Sequence, residues 1–260
     1  MSGKRLILPR QERGSLLSKV CRKCGINKNI DEYHWRDDCQ NYRHECKQCR
    51  TDAAKDNLLM VFYKMTREEY NYLLKQQGDV CGICKSPKYE YRNLAVDHDH
   101  HCCPGEKSCG QCVRGILCSN CNCGLGSLKE NKNLLRSAIN YLENHLGFKP
   151  SKRKIPIKTN DISLRSWVND LYADYKLNTD EYYYLLNIQQ NVCAICFNNP
   201  IGKKYLSVDH DHDTQLIRGL LCMPCNSSLG YFKDNTDVIY NAITYLNNPF
   251  KGPDGPARKS

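Results

Sequence analysis

Leu134, Leu135, Ala138, Ile139 and Leu142 recur at intervals of three and four, and Val238, Ile239, Ala242, Ile243 and Leu246 repeat that pattern 104 residues later. Such spacing gathers apolar side chains on one face and predicts two amphipathic helices. Two further helices are announced by their start signals. Thr66 is followed three residues on by Glu69, and Asn178 by Glu181, both capping-box patterns. Between each opening helix and its closing helix the apolar runs are short. "LAVDHDH" and "VRGILC" in the first set, and "LSVDHDH" and "IRGLLC" in the second, predict two short strands apiece.

The sets are copies of one another. Residues 63–84 match residues 175–196 at an offset of 112, as do the two VDHDH segments. From "VRGILCSNCN" and "IRGLLCMPCN" onward the offset is 104, so the first copy holds eight extra residues within "HCCPGEKSCGQC". The expected organisation is a flexible basic tail (1–18), a four-cysteine zinc finger (19–62), a first domain (63–148) with a Cys-rich insertion, a basic linker (149–165), a second domain (166–249) and a flexible tail (250–260). The fold class expected is small α+β domains stabilised by zinc.

Mean hydropathy is −0.66, which points to small cores that need reinforcement. No segment approaches the roughly 18 apolar residues of a membrane helix, and the "LIL" near the start is too short for a secretory signal. A cytoplasmic protein without a membrane partner is the expectation. Eighteen cysteines in such a chain point to metal rather than disulfides. The formal net charge of +10 suggests a polyanionic partner, but each four-cysteine zinc site removes two units, so three sites leave roughly +4. Basicity alone is therefore weak support for nucleic acid.

The cysteines fall into sets of paired CxxC knuckles: Cys81 and Cys84 with Cys118 and Cys121, Cys193 and Cys196 with Cys222 and Cys225, and Cys21 and Cys24 with Cys46 and Cys49. Each is a structural-zinc pattern. The upstream finger is surrounded by Arg22, Lys23, Arg36, Arg43, Lys47 and Arg50, a composition suited to phosphate contact, whereas Tyr33 and Trp35 read as core. The insertion offers Cys109 and Cys112 with Cys102 or Cys103 and His101, so a fourth zinc is an open alternative. Cys39 and Cys123 have no expected ligand role.

The VDHDH clusters sit between the halves of two zinc clamps, and each second knuckle ends in Asn122 or Asn226. Asp97 with Asn122, and Asp209 with Asn226, offer hard oxygens to a Mg2+-like ion. His98 and His210 remain as neutral bases suited to activating water. Adjacent residues of a strand face opposite sides, so Asp97 and His98 can serve one phosphate only if the strand ends or bends there. Arg114 and Arg218 have two readings, a clamp on a phosphate oxygen or a solvated strand arginine.

Each repeat resembles the recombination endonuclease VII family of ββα-metal (His-Me finger, HNH-like) nucleases. The matching segments are CGIC…VDHDH…VRGILCSNCNCGLG and CAIC…VDHDH…IRGLLCMPCNSSLG. The resemblance implies structural zinc on the knuckle cysteines, a catalytic Mg2+ or Mn2+ on Asp97, Asn122, Asp209 and Asn226, and general bases at His98 and His210. It implies assisting roles for His100 and His212. It also implies DNA as partner, branched or mismatched in many members, and host-cell cytoplasm as location for a phage-encoded chain. Two centres in one chain suit a monomeric pseudo-dimer, while a homodimer follows the single-domain pattern. The competing readings are a zinc-stabilised nucleic-acid-binding or packaging protein and a structural metal-binding protein. Both explain the cysteines and leave the paired DHDH and Asn residues without a purpose.

Overall fold

The structure is a computed structural model and describes residues 17–87, 94–145, 147–156, 160–200 and 205–248. The tail expected at 250–260, and all but the last two residues of the tail expected at 1–18, lie outside them. The chain forms two compact units. One takes the chain up to Tyr70 together with Asp99–Cys112, and the other takes Asn71–His98 with everything from Val113 onward.

The first unit is built on short hairpins. β1 (Ser18–Val20) pairs with β2 (Asn27–Asn29), and β3 (Trp35–Arg36) with β4 (Asn41–Tyr42). Its core is Tyr33 packed with Cys21 and Cys46, and Trp35 meets Tyr42 edge-on. So small a core leaves the cysteine cluster as the main source of stability. α1 (Lys47–Tyr63) opens on the Cys46 knuckle. The Cys-rich insertion folds with this unit: Ser108 N–H donates to the Phe62 carbonyl, and the backbones of Asp99 and Cys112 close its base.

α2 (Arg67–Gln76) starts at Thr66, whose backbone N–H and side chain exchange hydrogen bonds with Glu69 at 2.7 and 3.2 Å. The first repeat continues with β5 (Ala95–His98), β6 (Val113–Leu117), α3 (Ser119–Ser127) and α4 (Lys132–Glu143). The second runs through α5 (Ile162–Tyr175), α6 (Thr179–Ile188), β7 (Ser207–His210), β8 (Ile217–Leu221), α7 (Met223–Tyr231) and α8 (Thr236–Asn247). The Asn178–Glu181 capping box at the start of α6 is formed in full. The basic segment after the first repeat is anchored on the second. Phe148 pairs with Ile217 by two backbone bonds of 2.8 Å, Ser151 N–H donates to Glu181, and Asn178 donates to the Arg153 carbonyl.

Within the larger unit the two repeats share one core. α3 packs on α7 and α4 on α8, and one apolar cluster runs from Cys81 through Leu135 and Ile195 to Tyr245. The α3–α7 crossing is tight because Gly124 faces the buried ring of Phe232. A Cβ at Gly124 would lie 2.7 Å from Phe232 Cζ. At the matching position of the other helix, Ser228 donates its hydroxyl to the Gly124 carbonyl at 2.9 Å.

Candidate active site and metal clusters

Four groups of four cysteines converge: Cys21, Cys24, Cys46 and Cys49; Cys81, Cys84, Cys118 and Cys121; Cys102, Cys103, Cys109 and Cys112; and Cys193, Cys196, Cys222 and Cys225. A tetrahedral ion with Zn–S bonds of about 2.3 Å sets its sulfurs about 3.8 Å apart. The observed separations are 3.7 Å for Cys84–Cys118 and Cys196–Cys222, and 3.9 Å for Cys21–Cys49 and Cys102–Cys109. No disulfide forms among the described cysteines. Backbone N–H groups of Cys46, Cys109 and Cys118 point at sulfurs of Cys21, Cys103 and Cys81 at 3.3 Å. Thiolates this close repel one another. A hydrogen bond from Cys225 pulls the Cys193 thiol down to about 5, whereas burial pushes Cys222 up to about 11. Holding all four ionised requires a cation among them, so the donor set fits a structural zinc. In the insertion both Cys102 and Cys103 join the cluster, and His101 is not among its four ligands. Cys39 and Cys123 belong to no cluster.

The carboxylate–imidazole motifs sit at a break in each two-stranded sheet. Asp97 pairs with Gly115 and His98 with Val113, so Arg114 is an extra residue between them; Arg218 is extra in the same way between Ile217 and Gly219. This β-bulge turns the arginine toward the aspartate. Arg114 donates to both oxygens of Asp97 at 2.8 and 2.9 Å and to Glu130 at 2.6 Å. Arg218 donates to both oxygens of Asp209 at 2.7 and 2.9 Å and to Asp234 at 2.8 Å. Both arginines and both aspartates are buried, so the solvated reading of the arginines does not describe them. Burial alone would lower each guanidinium, but the carboxylates outweigh it and raise both above the ordinary arginine value. Removing one member of such a buried pair costs roughly 3–5 kcal/mol.

The acids that complete the pairs lie at strained turns. Lys129–Glu130 and Lys233–Asp234 are consecutive left-handed residues with φ between 51° and 56°. Non-glycine residues adopt this conformation at a cost, and here it delivers a carboxylate to the bulge arginine in each repeat.

β5 and β7 end at His98 and His210, so the next residues of each motif leave the strand. His98 is buried and His210 half-buried. Burial first, and the nearby His212 second, hold the His210 imidazole below the usual histidine range, which keeps it neutral and able to accept a proton. The His210 and His212 rings stand 4.7 Å apart, Tyr175 meets His210 edge-on at 5.5 Å, and His212 is exposed beside Asp234 at 4.0 Å. His100 is exposed. Cys118 and Cys222 are the N-caps of α3 and α7, so Asn122 and Asn226 fall on first turns and donate their backbone N–H groups to the carbonyls of those same cysteines at 3.0 Å.

Two more groups reach each centre, and one comes from the other repeat. Tyr245 of α8 donates its hydroxyl to Asp97 Oδ2, and Tyr141 of α4 donates to Asp209 Oδ2, both at 2.8 Å. Gln77 and Gln189 bracket β6 and β8 by accepting from and donating to the backbone of Ile116 and Leu220. Sequence reasoning missed the tyrosines, the glutamines, Glu130 and Asp234. The available signal was their recurrence at the repeat offsets of 104 and 112.

A sequence model of the family described as recombination endonuclease VII matches residues 56–144 and 168–248, more than half of the 260 residues. The chain belongs to the recombination endonuclease VII family. Each endonuclease VII region carries the ββα arrangement, β5–β6–α3 in one and β7–β8–α7 in the other. The gene 59 protein of Mycobacterium phage L5 is 43% identical over 88 residues, covering 34% of this chain and 54% of the relative. That of Mycobacterium phage D29 is 40% identical over 88 residues, covering 34% and 53%. The chain thus spans about half the length of the curated relatives it matches. The β-β-α-Me type II restriction endonuclease Hpy99I is 27% identical, covering 50% of this chain and 66% of that one, and its TM-score of 0.21 aligns too little to inform the geometry. Among the described residues no helix is long and apolar enough to cross a membrane.

Proposed function

We propose that the chain is a metal-dependent DNA endonuclease with two hydrolytic centres in one polypeptide. The observation that carries this reading is the duplicated bulge, which holds a buried aspartate next in sequence to a strand-ending histidine, with an asparagine on the first turn of the helix that follows in each repeat. A zinc-stabilised binding protein needs the cysteine clusters but has no use for two such constellations.

The donor chemistry fits a hard divalent ion. In both aspartates Oδ2 accepts from the arginine Nε and a tyrosine hydroxyl, while Oδ1 accepts from the arginine Nη2 alone. A carboxylate oxygen has two lone pairs, so Oδ1 retains capacity for a cation. Asp97 with Asn122, and Asp209 with Asn226, would hold Mg2+ or Mn2+, whose remaining positions suit water and phosphate. Bound there, the ion supplies Lewis-acid stabilisation of charge on the phosphate and the leaving oxygen. His98 and His210 take a proton from water as its oxygen bonds to phosphorus. The P–O3′ bond breaks, and the departing 3′-oxygen takes a proton from solvent water, leaving 5′-phosphate and 3′-hydroxyl ends. His100 and His212 assist at the phosphate. Arg114 and Arg218 fix the aspartates, each giving three of its five N–H donors to carboxylates and keeping two that can reach a phosphate oxygen. Structural zinc occupies the four cysteine clusters.

The chain works as a pseudo-dimer, each centre cutting one strand, on DNA that is branched or mismatched. The reducing host-cell cytoplasm suits its free thiols. The test is supercoiled plasmid with Mg2+. The unsubstituted chain yields linear DNA, His98→Ala or His210→Ala yields open circles, and the double variant is inert. Binding without cleavage by zinc-replete protein, whatever the DNA form or divalent ion, sinks the endonuclease reading.

A further inference from the structure

We propose that Tyr245 and Tyr141 are positioning residues that act crosswise: the second repeat's Tyr245 orients Asp97 in the first centre, and the first repeat's Tyr141 orients Asp209 in the second. Each centre is complete only with the other repeat's closing helix in place. The inference rests on the two-centre reading above and deepens it.

Both hydroxyls are buried and both end on a carboxylate oxygen at 2.8 Å. A buried hydroxyl is costly unless it is hydrogen-bonded, and packing alone is met by phenylalanine. The sheet is shaped to admit the tyrosines. A Cβ at Gly115 would stand 2.8 Å from Gln77 Oε1, 3.0 Å from Tyr245 Oη and 3.1 Å from Cε2, and one at Gly219 would stand 2.9 Å from Gln189 Oε1 and meet Tyr141 at the same two distances. The glycine of each Arg-Gly pair therefore opens the strand face through which the other repeat's tyrosine reaches the aspartate. The hydroxyl and the arginine Nε together fill both lone pairs of Oδ2. That locks the carboxylate rotation and leaves Oδ1 as the oxygen able to take a cation. Exposed neighbours on α4 and α8 differ between copies (Asn140 against Thr244, Glu143 against Asn247), while the tyrosine recurs at the same register together with the apolar Ala138/Ala242, Ile139/Ile243 and Leu142/Leu246.

In His210→Ala protein nicking reports the first centre, and in His98→Ala protein it reports the second. Adding Tyr245→Phe slows the first centre about 10-fold and raises its Mg2+ half-saturation by a similar factor, as expected for loss of a hydrogen bond to a charged group. The loss falls on the first centre and not the second, and Tyr141→Phe gives the reverse. Tyr240→Phe, on the exposed side of α8, serves as the control. The readout independent of cleavage is Mn2+ binding, followed by the electron paramagnetic resonance of free Mn2+, to the full chain carrying His98→Ala and His210→Ala. Tyr245→Phe weakens one of two bound ions about 10-fold, while zinc content and melting temperature hold. Loss in the tyrosine's own repeat, equal loss in both centres, or unchanged Mn2+ binding overturns the assignment. If chains with intact histidines do not cut DNA, the endonuclease reading fails, and the Mn2+ titration decides the tyrosines by itself.

Discussion

Replacing Gly124 by alanine sets two effects of known sign against each other at the crossing that joins the repeats. In an isolated helix the change is stabilising by about 1 kcal/mol, because alanine loses less backbone entropy and shields the helix better. Here the new Cβ would lie 2.7 Å from Phe232 Cζ and 3.0 Å from both Cε atoms. Carbon atoms at optimal contact stand about 3.5–4.0 Å apart, so the helix or the ring must shift by most of an ångström. Phe232 is 1% exposed, packed within the shared core. The Gly124 carbonyl is also held by Ser228, which resists a slide of α3 along α7. Overpacking of this kind costs about 1–3 kcal/mol. The packing term therefore matches or exceeds the propensity term, and Gly124→Ala should be net destabilising by up to about 2 kcal/mol, a fall of a few degrees in melting temperature for a unit of this size. Urea unfolding of zinc-replete protein measures it. Phe232→Leu in the same chain should recover part of the loss, giving a coupling energy in the double-mutant cycle. A more stable Gly124→Ala protein would show that α3 and α7 do not approach this closely.

Three further outcomes are expected. Elemental analysis of protein purified without chelator should find four zinc ions per chain, and Cys103→Ser should remove one; three ions in the unsubstituted chain would mean the insertion cluster is not a zinc site. Asn122→Ala combined with Asn226→Ala should abolish plasmid cutting with zinc content unchanged, and full activity would make the asparagines merely structural. Glu181, which caps α6 and accepts from Ser151, is held below the ordinary glutamate range: burial works against this, and the hydrogen bonds from Asn178 and Ser151 outweigh it. A depressed folded-state value stabilises above the unfolded value near 4.5 and is lost as pH falls through the folded one. Glu181→Gln should therefore cost about 1 kcal/mol at pH 7 and progressively less as pH falls below 4.5, read by urea unfolding at a series of pH values; a deficit that does not change with pH would assign the effect to shape rather than charge.

The parts of this protein that depend on local chemistry were legible in its sequence. CxxC pairs and capping boxes are recognised by residues a few positions apart, and the duplicated pattern doubled every such signal. The DHDH motif suggested a chemistry but left a geometric difficulty, since neighbouring strand residues point apart. In the structure both strands end at the histidine and the partner strand bulges at Arg114 or Arg218, and no local rule separates a bulging arginine from one that continues its strand. The tyrosines were invisible for a different reason. Tyr141 and Tyr245 sit among core residues of amphipathic helices, where an aromatic is ordinary, and their significance depends on which repeat the helix packs against. Gly115 and Gly219 carried the matching half of that information, readable only once the ring that fills their space is known. The association of the insertion with the finger rather than with its own repeat was equally non-local.

The crosswise tyrosines also order events in time. Asp97 and Tyr245 are separated by 148 residues of chain. A ribosome adding about 5–20 residues per second finishes α4 on the order of ten seconds before it reaches Tyr245. Through that interval the nascent first repeat holds every knuckle cysteine and both of its histidines, yet lacks the hydroxyl that sets its aspartate. The hydrogen bond that sets Asp97 therefore forms only after the second repeat is made and docked, and a chain interrupted between the repeats never forms it. Weaving the halves together ties the setting of each aspartate to the presence of the other repeat.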